Sequence, residues 1–492
     1  MLVNLFIQNF RSIRSGSVSF TADRDDLSLK KEHRGDRYSE IRLLYPDAAD
    51  KADPYRKILV PVKNIIGLSS FGKSTLFDAF KTLCFIATKK KPLADLYDPC
   101  IEDPKLEKAP CVLEGTFDLS SDSSPDPNKA PAERYLVTYR ISFNAEEILE
   151  ESFTVQGHDD FSYELKKGKF VSFPTLFFTR LDLEDLVSDD PCKDAYLSCL
   201  QRDESGQVIR QTCSVLHKIC LYDESSMLYE LVQELSWRTY FVNKESFSAQ
   251  AIIDMLNAHL FNVHKSADEE KAFNAIFFKL ISDVLKDVSN VLDLHCEYHE
   301  HSTAIKTILC KHASTVPGKF YGLDLADEGA SVISELAIII SSFLALKEGG
   351  IAVIDDFNAY LPPFAQLYLP RLFKRDDYNL YGAQLIIVHR GEKVMIPDGK
   401  DCADEVCCLQ RSPDQGTLLI SGKSLLQSNA VKFADSSQPK HLKNILAKAV
   451  KGDTQEKITP VATHRKKNTV TNKNSKQKNQ EDAFYFEIPE DC

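Results

Sequence analysis

Long apolar runs and regular cysteine spacing are both absent from this sequence of 492 residues. We find no stretch of about 18 consecutive apolar residues, so we expect no segment that crosses a membrane. The N-terminus, MLVNLFIQNFRSIRSG, alternates apolar and polar residues and lacks the apolar run of a signal peptide. The 13 cysteines are scattered without a framework pattern, which indicates reduced thiols. Together these absences predict a cytoplasmic protein.

An excess of basic residues and a long coiled coil are missing as well. The net charge of -12 argues against a surface that coats nucleic acid non-specifically, although a local basic groove stays possible. One amphipathic helix is predicted after the capping-box pair Ser266 and Glu269. Its apolar face ends after about three turns, and no heptad run continues from it. The chain therefore lacks the arm of a long coiled-coil protein.

The remaining pattern predicts alternating strands and helices in several domains. Strands are expected over 2–20 and at KILVPVKNIIG, where Pro61 weakens the first half, and in several runs between 108 and 180. Helices are expected over 73–87 and 329–347, and a β-hairpin over 291–324. The predicted units are an N-terminal lobe (1–200), a helical insertion (201–290), a C-terminal lobe (291–452) and a tail (453–492). The tail is basic and then acidic and aromatic, so it is either a partner-docking segment or a solubilising one.

A glycine-rich stretch between an apolar run and a helical pattern is the most specific motif. It reads IIGLSSFGKSTLFDAF over residues 65–80 and separates Gly-Lys-Ser-Thr from a first glycine by four residues. Glycines let the backbone wrap around phosphate oxygens, while amide groups and the following helix N-terminus supply positive potential. We predict that Lys73 reaches the β- and γ-phosphates and that the Ser74 hydroxyl binds Mg²⁺. The predicted nucleotide-binding residues are Gly67, Ser69, Ser70, Phe71, Gly72, Lys73, Ser74 and Thr75.

Two later apolar strands end in residues that suit phosphate chemistry. GIAVIDDF ends in two acids, and a P-loop ATPase needs an acid at the end of a buried strand to hold Mg²⁺. We assign Asp355 to the metal and Asp356 to the attacking water, as the catalytic acid. AQLIIVHR places His389 at the end of another strand, where it would touch the γ-phosphate. The structural alternatives are a parallel strand that happens to end in acids and a histidine that belongs to the core.

Two other clusters carry weaker signals. The segment HCEYHEH places His295, His299 and His301 on one face of a strand, which could bind zinc, but the spacing matches no standard zinc module. Its charged neighbours favour a solvated edge strand instead. A second group, Cys402, Cys407 and Cys408, lacks a partner pair at metal spacing, so we expect these thiols to be buried or incidental.

Five segments together resemble the RecF/SMC/OLD branch of ABC-type ATPases, close to the stand-alone ATPases of bacterial abortive-infection and anti-phage systems. They are LFIQNFRSI with its Asn-Phe-Arg-Ser turn, GLSSFGKSTL, DLADEGASVISELAIII at the place of the ABC signature helix, IAVIDDFNAYLPP and QLIIVHR. They frame residues 1 to about 395. The resemblance implies an α/β fold, that of a P-loop NTPase head of ABC type, in which helices flank a mixed sheet, here with a helical insertion.

In such ATPases two heads sandwich two ATP molecules, so the resemblance implies ATP and Mg²⁺ and a homodimer or higher homo-oligomer. The signature, with Gly329, would face the γ-phosphate bound to the other head. Three departures stand out. Asp327 replaces the usual serine and would either repel that phosphate or turn away to cap the helix. Asp356 replaces a glutamate and is one methylene shorter, and VHR replaces the common Thr-His. We therefore expect ATP binding with slow or conditional hydrolysis.

Three functions remain open at this stage. The leading hypothesis is an ABC-type ATPase that serves as sensor or scaffold for a separate effector, a nuclease or toxin, in bacterial anti-phage defence. The effector is expected to be separate because the segment between His389 and the tail is too short for a Toprim nuclease domain. The alternatives are a RecF-like DNA-repair ATPase that clamps duplex DNA and a hydrolysis-deficient pseudo-ATPase that acts as a structural subunit.

Overall fold

The protein is described from a computed structural model. It describes residues 1–23, 57–67, 71–88, 91–100, 105–120, 134–156, 162–172, 198–202, 204, 208–219, 227–260, 267–288, 291–300, 302, 304–375, 378–390, 404–412, 415–422 and 424.

Strands make up most of the regular structure in these ranges. They are β1 (Leu2–Phe10), β2 (Ile13–Ser19), β3 (Thr21–Asp23), β4 (Lys57–Leu59), β5 (Val62–Gly67), β6 (Cys111–Ser120), β7 (Arg134–Phe143), β8 (Ile148–Val155), β9 (Tyr163–Lys166), β10 (Lys169–Ser172), β11 (Leu200–Arg202), β12 (Val208–Gln211), β13 (Thr239–Val242), β14 (Val291–Tyr298), β15 (Ile305–Ala313), β16 (Phe320–Asp324), β17 (Ile351–Ile354), β18 (Gln384–Val388), β19 (Val406–Ser412) and β20 (Gly416–Ser421).

Helices connect and cover these strands. They are α1 (Lys73–Ala87), α2 (Leu93–Leu96), α3 (Leu216–Ile219), α4 (Met227–Ser236), α5 (Ala249–Leu260), α6 (Ala267–Val288), α7 (Ala330–Glu348), α8 (Phe357–Tyr360) and α9 (Pro363–Lys374). Short 3₁₀ turns lie at Lys244–Ser246 and Leu325–Asp327.

One large mixed sheet organises the fold. Its main path runs β10-β9-β8-β7-β6-β1-β2-β20-β19-β5-β18-β17-β13, and β11 and β12 join through β8. The five strands from β19 to β13 are parallel, whereas the strands from β10 to β20 form an antiparallel arm. Since consecutive parallel strands need crossover connections, the helices come to lie on the faces of the parallel half.

The parallel strands are apolar because both of their faces are covered. The sequences IAVI of β17 and QLIIV of β18 are buried throughout. Successive side chains of a strand point to opposite faces. On β17, Ile351 and Val353 therefore join a core with α1 and the antiparallel arm, while Ala352 and Ile354 join a second core with α5, α6, α7 and α9.

The helix α7 is the central element of the second core. It packs against β13 and β17, and its residues from Ser334 to Leu346 are buried. Within the described residues it is the one helix that is long and apolar enough to be considered as a membrane span, although most of it is buried in the fold. Serine and glutamate residues interrupt its apolar run, so the helix does not form an uninterrupted stretch of about 18 apolar residues.

The smaller elements refine the predictions. The hairpin predicted over 291–324 is a three-stranded antiparallel sheet, β14-β15-β16. The segment 201–290 contains helices α3 to α6 as predicted, but it also supplies β13, which pairs in parallel with β17 in the large sheet. The lobe boundaries themselves stay a prediction. The single strand predicted over KILVPVKNIIG is two strands, β4 and β5, in different sheets, and Pro61 lies between them. Ser266 and the tail lie outside the described residues.

Candidate nucleotide-binding site

Three predicted site segments meet at one edge of the sheet. The strands β5, β18 and β17 are parallel neighbours in that order, so their carboxyl ends lie side by side. Gly67 closes β5, Asp355 follows β17 and His389 follows β18. In open α/β sheets, ligands bind in the crevice outside the carboxyl ends of the strands. The structure therefore brings the phosphate loop, the acidic pair and the histidine together, although they are far apart in sequence.

The two glycines of the phosphate loop occupy positions that a side chain would not fit. Gly72 caps α1 with φ of 81°, in the left-handed region, and a Cβ there would press on the Ser12 hydroxyl and lie 2.9 Å from Oγ1 of Thr417. A Cβ on Gly67 would lie 2.8 Å from the carbonyl oxygen of Leu409. Both positions therefore require glycine, because a Cβ at either end of the loop would clash with its neighbours.

The other loop residues take their places around this frame. Phe71 is partly buried and packs against the first core, and Thr75 is buried on the first turn of α1. The Thr75 hydroxyl lies 3.3 Å from that of Ser12. Ser69 and Ser70, also predicted to bind nucleotide, lie outside the described residues.

Lys73 begins α1 and is directed back into the loop. Its Nζ donates a hydrogen bond to the carbonyl oxygen of Gly67 at 2.8 Å, and the residue is only 9% exposed. Burial lowers the pKa of Lys73, while the carboxylates of Asp356 and Asp355 oppose this shift. The acids therefore offset part of the cost of burying the positive charge that a phosphate-binding lysine needs.

Ser74 and Asp355 form the predicted metal-binding pair. The Ser74 hydroxyl donates a hydrogen bond to the Asp355 carboxylate. Burial raises the pKa of Asp355, the neighbouring Asp356 raises it further, and the hydrogen bond from Ser74 lowers it. Mg²⁺ takes oxygen ligands and is usually held through one or two carboxylates together with substrate phosphates. A hydroxyl and a carboxylate side by side fit this ion. No group of three or more His, Cys, Asp and Glu side chains suited to a metal occurs in the described part of the chain.

Asp356 adopts an unusual backbone conformation. Its φ is 54° and ψ is 32°, in the left-handed region, and its N–H donates to Oδ1 of Asp355 at 3.1 Å. Few residues other than glycine occupy this region, and aspartate and asparagine are the best tolerated. Such outliers often occur where function fixes the direction of a side chain. This conformation makes Asp356 the N-cap residue of α8, while the Asp355 carboxylate interacts with Ser74.

His389 is more enclosed than predicted. It is 2% exposed, and its ring contacts that of Phe357 edge to face at 6.1 Å. Its Nε2 lies 2.9 Å from Oδ1 of Asn64 on β5. Burial and the nearby Lys73 lower the pKa of His389 to about 3, so the ring is neutral at physiological pH. Because the neutral ring carries one N–H and Asn64 Oδ1 accepts it, Nδ1 is left as an acceptor. The predicted contact with a γ-phosphate stays a prediction, and it requires this hydrogen bond to change.

The signature-like segment is exposed at the start of α7. Gly329 is the N-cap residue, with no side-chain cap, and nothing lies within 4 Å of a Cβ placed on it. Asp327 is exposed in the 3₁₀ turn Leu325–Asp327. The suggestion that Asp327 caps the following helix was therefore wrong: the backbone is extended at Glu328 and Gly329, which carries Asp327 beyond the helix end. An aspartate does cap here, since Asp324 accepts from the Ala326 N–H at 2.9 Å and so caps the 3₁₀ turn.

Several side chains at the site were not identified from the sequence. Thr417 lies beside Gly72, its N–H donates to the Ser12 carbonyl at 2.8 Å, and its buried hydroxyl has no partner among the described residues. Asn64 is the partner of His389. Of these residues, only Ser12 belongs to a sequence motif, the turn after β1. Strand pairing brings Thr417 and Asn64 to the site, so no local motif contains them.

The other candidate residues do not form sites in the described part of the chain. His295 and His299 are exposed on or after β14, and no metal-binding cluster is found with them. Cys407 and Cys408 are free thiols in the core, and burial raises the pKa of Cys407 to about 11. His301 and Cys402 lie outside the described residues.

Comparison with known proteins finds similar chains among the solved structures. A scan against protein families and a search of curated proteins found no match. Among solved structures, one similar chain is described as "Structure of the recombination mediator protein RecF-ATP in RecFOR pathway". It is 12% identical, with a TM-score of 0.33, over 86% of this chain and 96% of that chain. Since both values are low, the class of this protein rests on its own geometry. The predicted fold class is confirmed: an α/β protein with a large mixed sheet flanked by helices, in which Gly67 and Lys73 of the predicted phosphate loop lie at the carboxyl edge of the parallel strands.

Proposed function

We propose that this protein is an ABC-type ATPase head that binds ATP with Mg²⁺. The observation that carries the proposal is the juxtaposition of Lys73, Ser74 and Asp355 at the carboxyl ends of parallel strands. The lysine supplies a cation for the β- and γ-phosphates, and the helix N-terminus behind it adds positive potential. The hydroxyl and the carboxylate supply oxygen ligands for a magnesium ion that would neutralise the phosphates and orient them.

The same site supports slow or conditional hydrolysis. Phosphoryl transfer relies on positioning and on electrostatic stabilisation, and a nearby carboxylate has to orient the attacking water. Asp356 is the group for this role, because it adjoins the metal-side acid and its left-handed backbone is tied to Asp355 by a hydrogen bond. Its short side chain limits its reach, and His389 has its N–H engaged by Asn64. Both features favour ATP hydrolysis that is slow until the site rearranges.

Dimerisation is the rearrangement that the exposed signature segment suggests. The N-terminus of α7 is open around Gly329, so a phosphate bound to a second copy of the chain could approach it. We propose a homodimer with ATP at the interface, in which Asp327 disfavours tight closure because it adds a negative charge next to the γ-phosphate. A hydrolysis-deficient structural subunit is the second candidate function, and the engaged N–H of His389 favours it.

The cellular role rests on the resemblance alone. We propose that the ATP-bound dimer acts as a sensor or scaffold for a separate nuclease or toxin in anti-phage defence. The acidic and aromatic segment at the end of the chain, EDAFYFEIPEDC, is a candidate for contact with that effector.

The test is to measure ATP binding, ATP turnover and molecular mass on the same preparations of wild type, Lys73→Ala and Asp356→Asn. We expect wild type to bind ATP with Mg²⁺ and to double its mass when ATP is added. Lys73→Ala should bind at least about tenfold more weakly, because it loses charge-assisted hydrogen bonds to phosphate. Asp356→Asn should bind and dimerise but turn over no ATP.

Each result has a defined meaning. Absence of ATP binding by wild type would overturn the nucleotide-binding proposal. Binding and dimerisation without turnover would select the structural subunit over the ATPase. If Asp356→Asn still hydrolyses ATP, Asp356 is not the catalytic acid.

A further inference from the structure

An exposed arginine stands at the centre of the site and has no role so far. Arg390 directly follows His389 at the carboxyl end of β18, and β18 lies between the strand of the phosphate loop and the strand of the acidic pair. His389 is buried, whereas Arg390 is exposed. Within the described residues the guanidinium makes no ion pair. The position therefore places an exposed arginine at the strand end between those that lead to Lys73 and Asp355.

The backbone of Arg390 is held in place by the acidic loop. The Asn358 side chain donates from Nδ2 to the carbonyl oxygen of Arg390 at 2.8 Å, and its Oδ1 accepts from the N–H of Arg390 at 2.6 Å. This pair of hydrogen bonds ties residue 390 to the segment just after Asp356. Two hydrogen bonds with one side-chain amide fix both the position and the direction of the Arg390 backbone. The Cα of Arg390 is therefore held in a defined place relative to the acids.

Tyr360 is a neighbour of both Arg390 and the acidic pair. Tyr360, one turn beyond the acids, packs its ring against Phe247 at 4.6 Å between centroids. Burial raises the pKa of Tyr360, Asp356 raises it further, and Arg390 lowers it. The tyrosine hydroxyl therefore lies within electrostatic reach of both Asp356 and Arg390.

We propose that Arg390 binds the terminal phosphate of a nucleoside triphosphate and makes the site discriminate ATP from ADP. This inference rests on the proposed nucleotide site. Lys73 approaches the β- and γ-phosphates from the loop, and the N–H of His389 is engaged by Asn64, so a second donor to the terminal phosphate has to come from another residue. A guanidinium presents several N–H donors to phosphate oxygens, often in pairs. Asn358 is then a positioning residue, since it acts through the backbone of Arg390.

The test compares affinities for two nucleotides, β,γ-imido ATP and ADP, by calorimetry with Mg²⁺ present. Arg390→Ala should weaken binding of the triphosphate analogue by about tenfold or more and change ADP affinity by less than twofold, because only the triphosphate reaches the lost guanidinium. Arg390→Lys should recover part of the loss, since it keeps charge but not the paired donors. Arg202→Ala removes an exposed arginine on β11, in the antiparallel arm, and should change neither affinity.

Asn358→Ala distinguishes positioning from a general structural effect. It should lower the ratio of triphosphate to diphosphate affinity, and the double variant with Arg390→Ala should lose no more than Arg390→Ala alone. Equal weakening of both nucleotides by Arg390→Ala, or no weakening of either, would overturn the role of Arg390 while the nucleotide site stands. Failure of wild type to bind either nucleotide would overturn the site and this inference together.

Discussion

The ammonium of Lys73 and the carbonyl oxygen of Gly67 lie 2.8 Å apart, so the last residue of the strand and the first residue of the helix hold the phosphate loop from both ends. An ammonium has three N–H donors, so Lys73 can donate to phosphate oxygens while it keeps its hydrogen bond to Gly67. The bond therefore holds the Lys73 ammonium beside Gly67 before phosphate binds, which reduces the cost of ordering this side chain on binding.

Gly72→Ala should damage both the fold and the site. Its φ of 81° is unfavourable for alanine, and the new Cβ would press on Ser12 and Thr417. Strain of this kind costs about 1–2 kcal/mol of unfolding free energy. We expect urea denaturation to show that loss and calorimetry to show weaker ATP binding. Gly322→Ala on β16 is the matched control, because nothing lies within 4 Å of a Cβ there, and it should leave both unchanged. A stable Gly72→Ala variant with normal binding would contradict the described loop.

Ser74→Ala should remove the effect of Mg²⁺ on ATP affinity while leaving metal-free binding intact. The hydroxyl lies beside the Asp355 carboxylate and is one of two oxygen ligands available to the ion. Titrations with ATP, once with Mg²⁺ present and once with a chelator, give the ratio of the two ATP affinities directly. Ser74→Thr keeps a hydroxyl and should retain the wild-type ratio. If Ser74→Ala also retains the wild-type ratio, Ser74 is not a metal ligand.

Much of the site could be predicted because its signals are local. The spacing of Gly67, Gly72 and Lys73 is a short motif, and the apolar runs before Asp355 and His389 indicate buried parallel strands. The same reasoning predicted α1 over the residues that it occupies in the structure.

What could not be predicted depends on pairing between distant strands. His389 and Asn64 are neighbours because β18 pairs with β5, and no local pattern contains the register of strands that lie more than 300 residues apart. The placement of β13 beside β17 was missed for the same reason. The direction of Asp327 depended on two extended residues before α7, which sequence spacing alone does not define.

Asp356 should tolerate asparagine much better than valine. Both substitutions remove the carboxylate, so a difference in stability between them reports the backbone alone. Asparagine adopts the left-handed conformation readily, while a β-branched residue with φ of 54° is a steric outlier. We expect Asp356→Asn to keep its urea midpoint and Asp356→Val to lose about 1–2 kcal/mol. Equal stability of the two variants would mean that this turn is not left-handed in solution.

Lowering the pH should destabilise the protein partly through His389. Its pKa of about 3 in the folded protein lies below that of an unfolded histidine, about 6.5, so the unfolded chain binds the extra proton. Its contribution to stability is therefore complete above about pH 6.5 and is lost as the pH falls toward 3. Between pH 7.5 and pH 5 this amounts to about 2 kcal/mol, at 1.4 kcal/mol per unit. We expect urea denaturation of wild type to show this loss and His389→Gln to lack it. The exposed His295→Gln control should follow wild type. If His389→Gln keeps the full slope, the ring is not held in the buried neutral form that its bond to Asn64 requires.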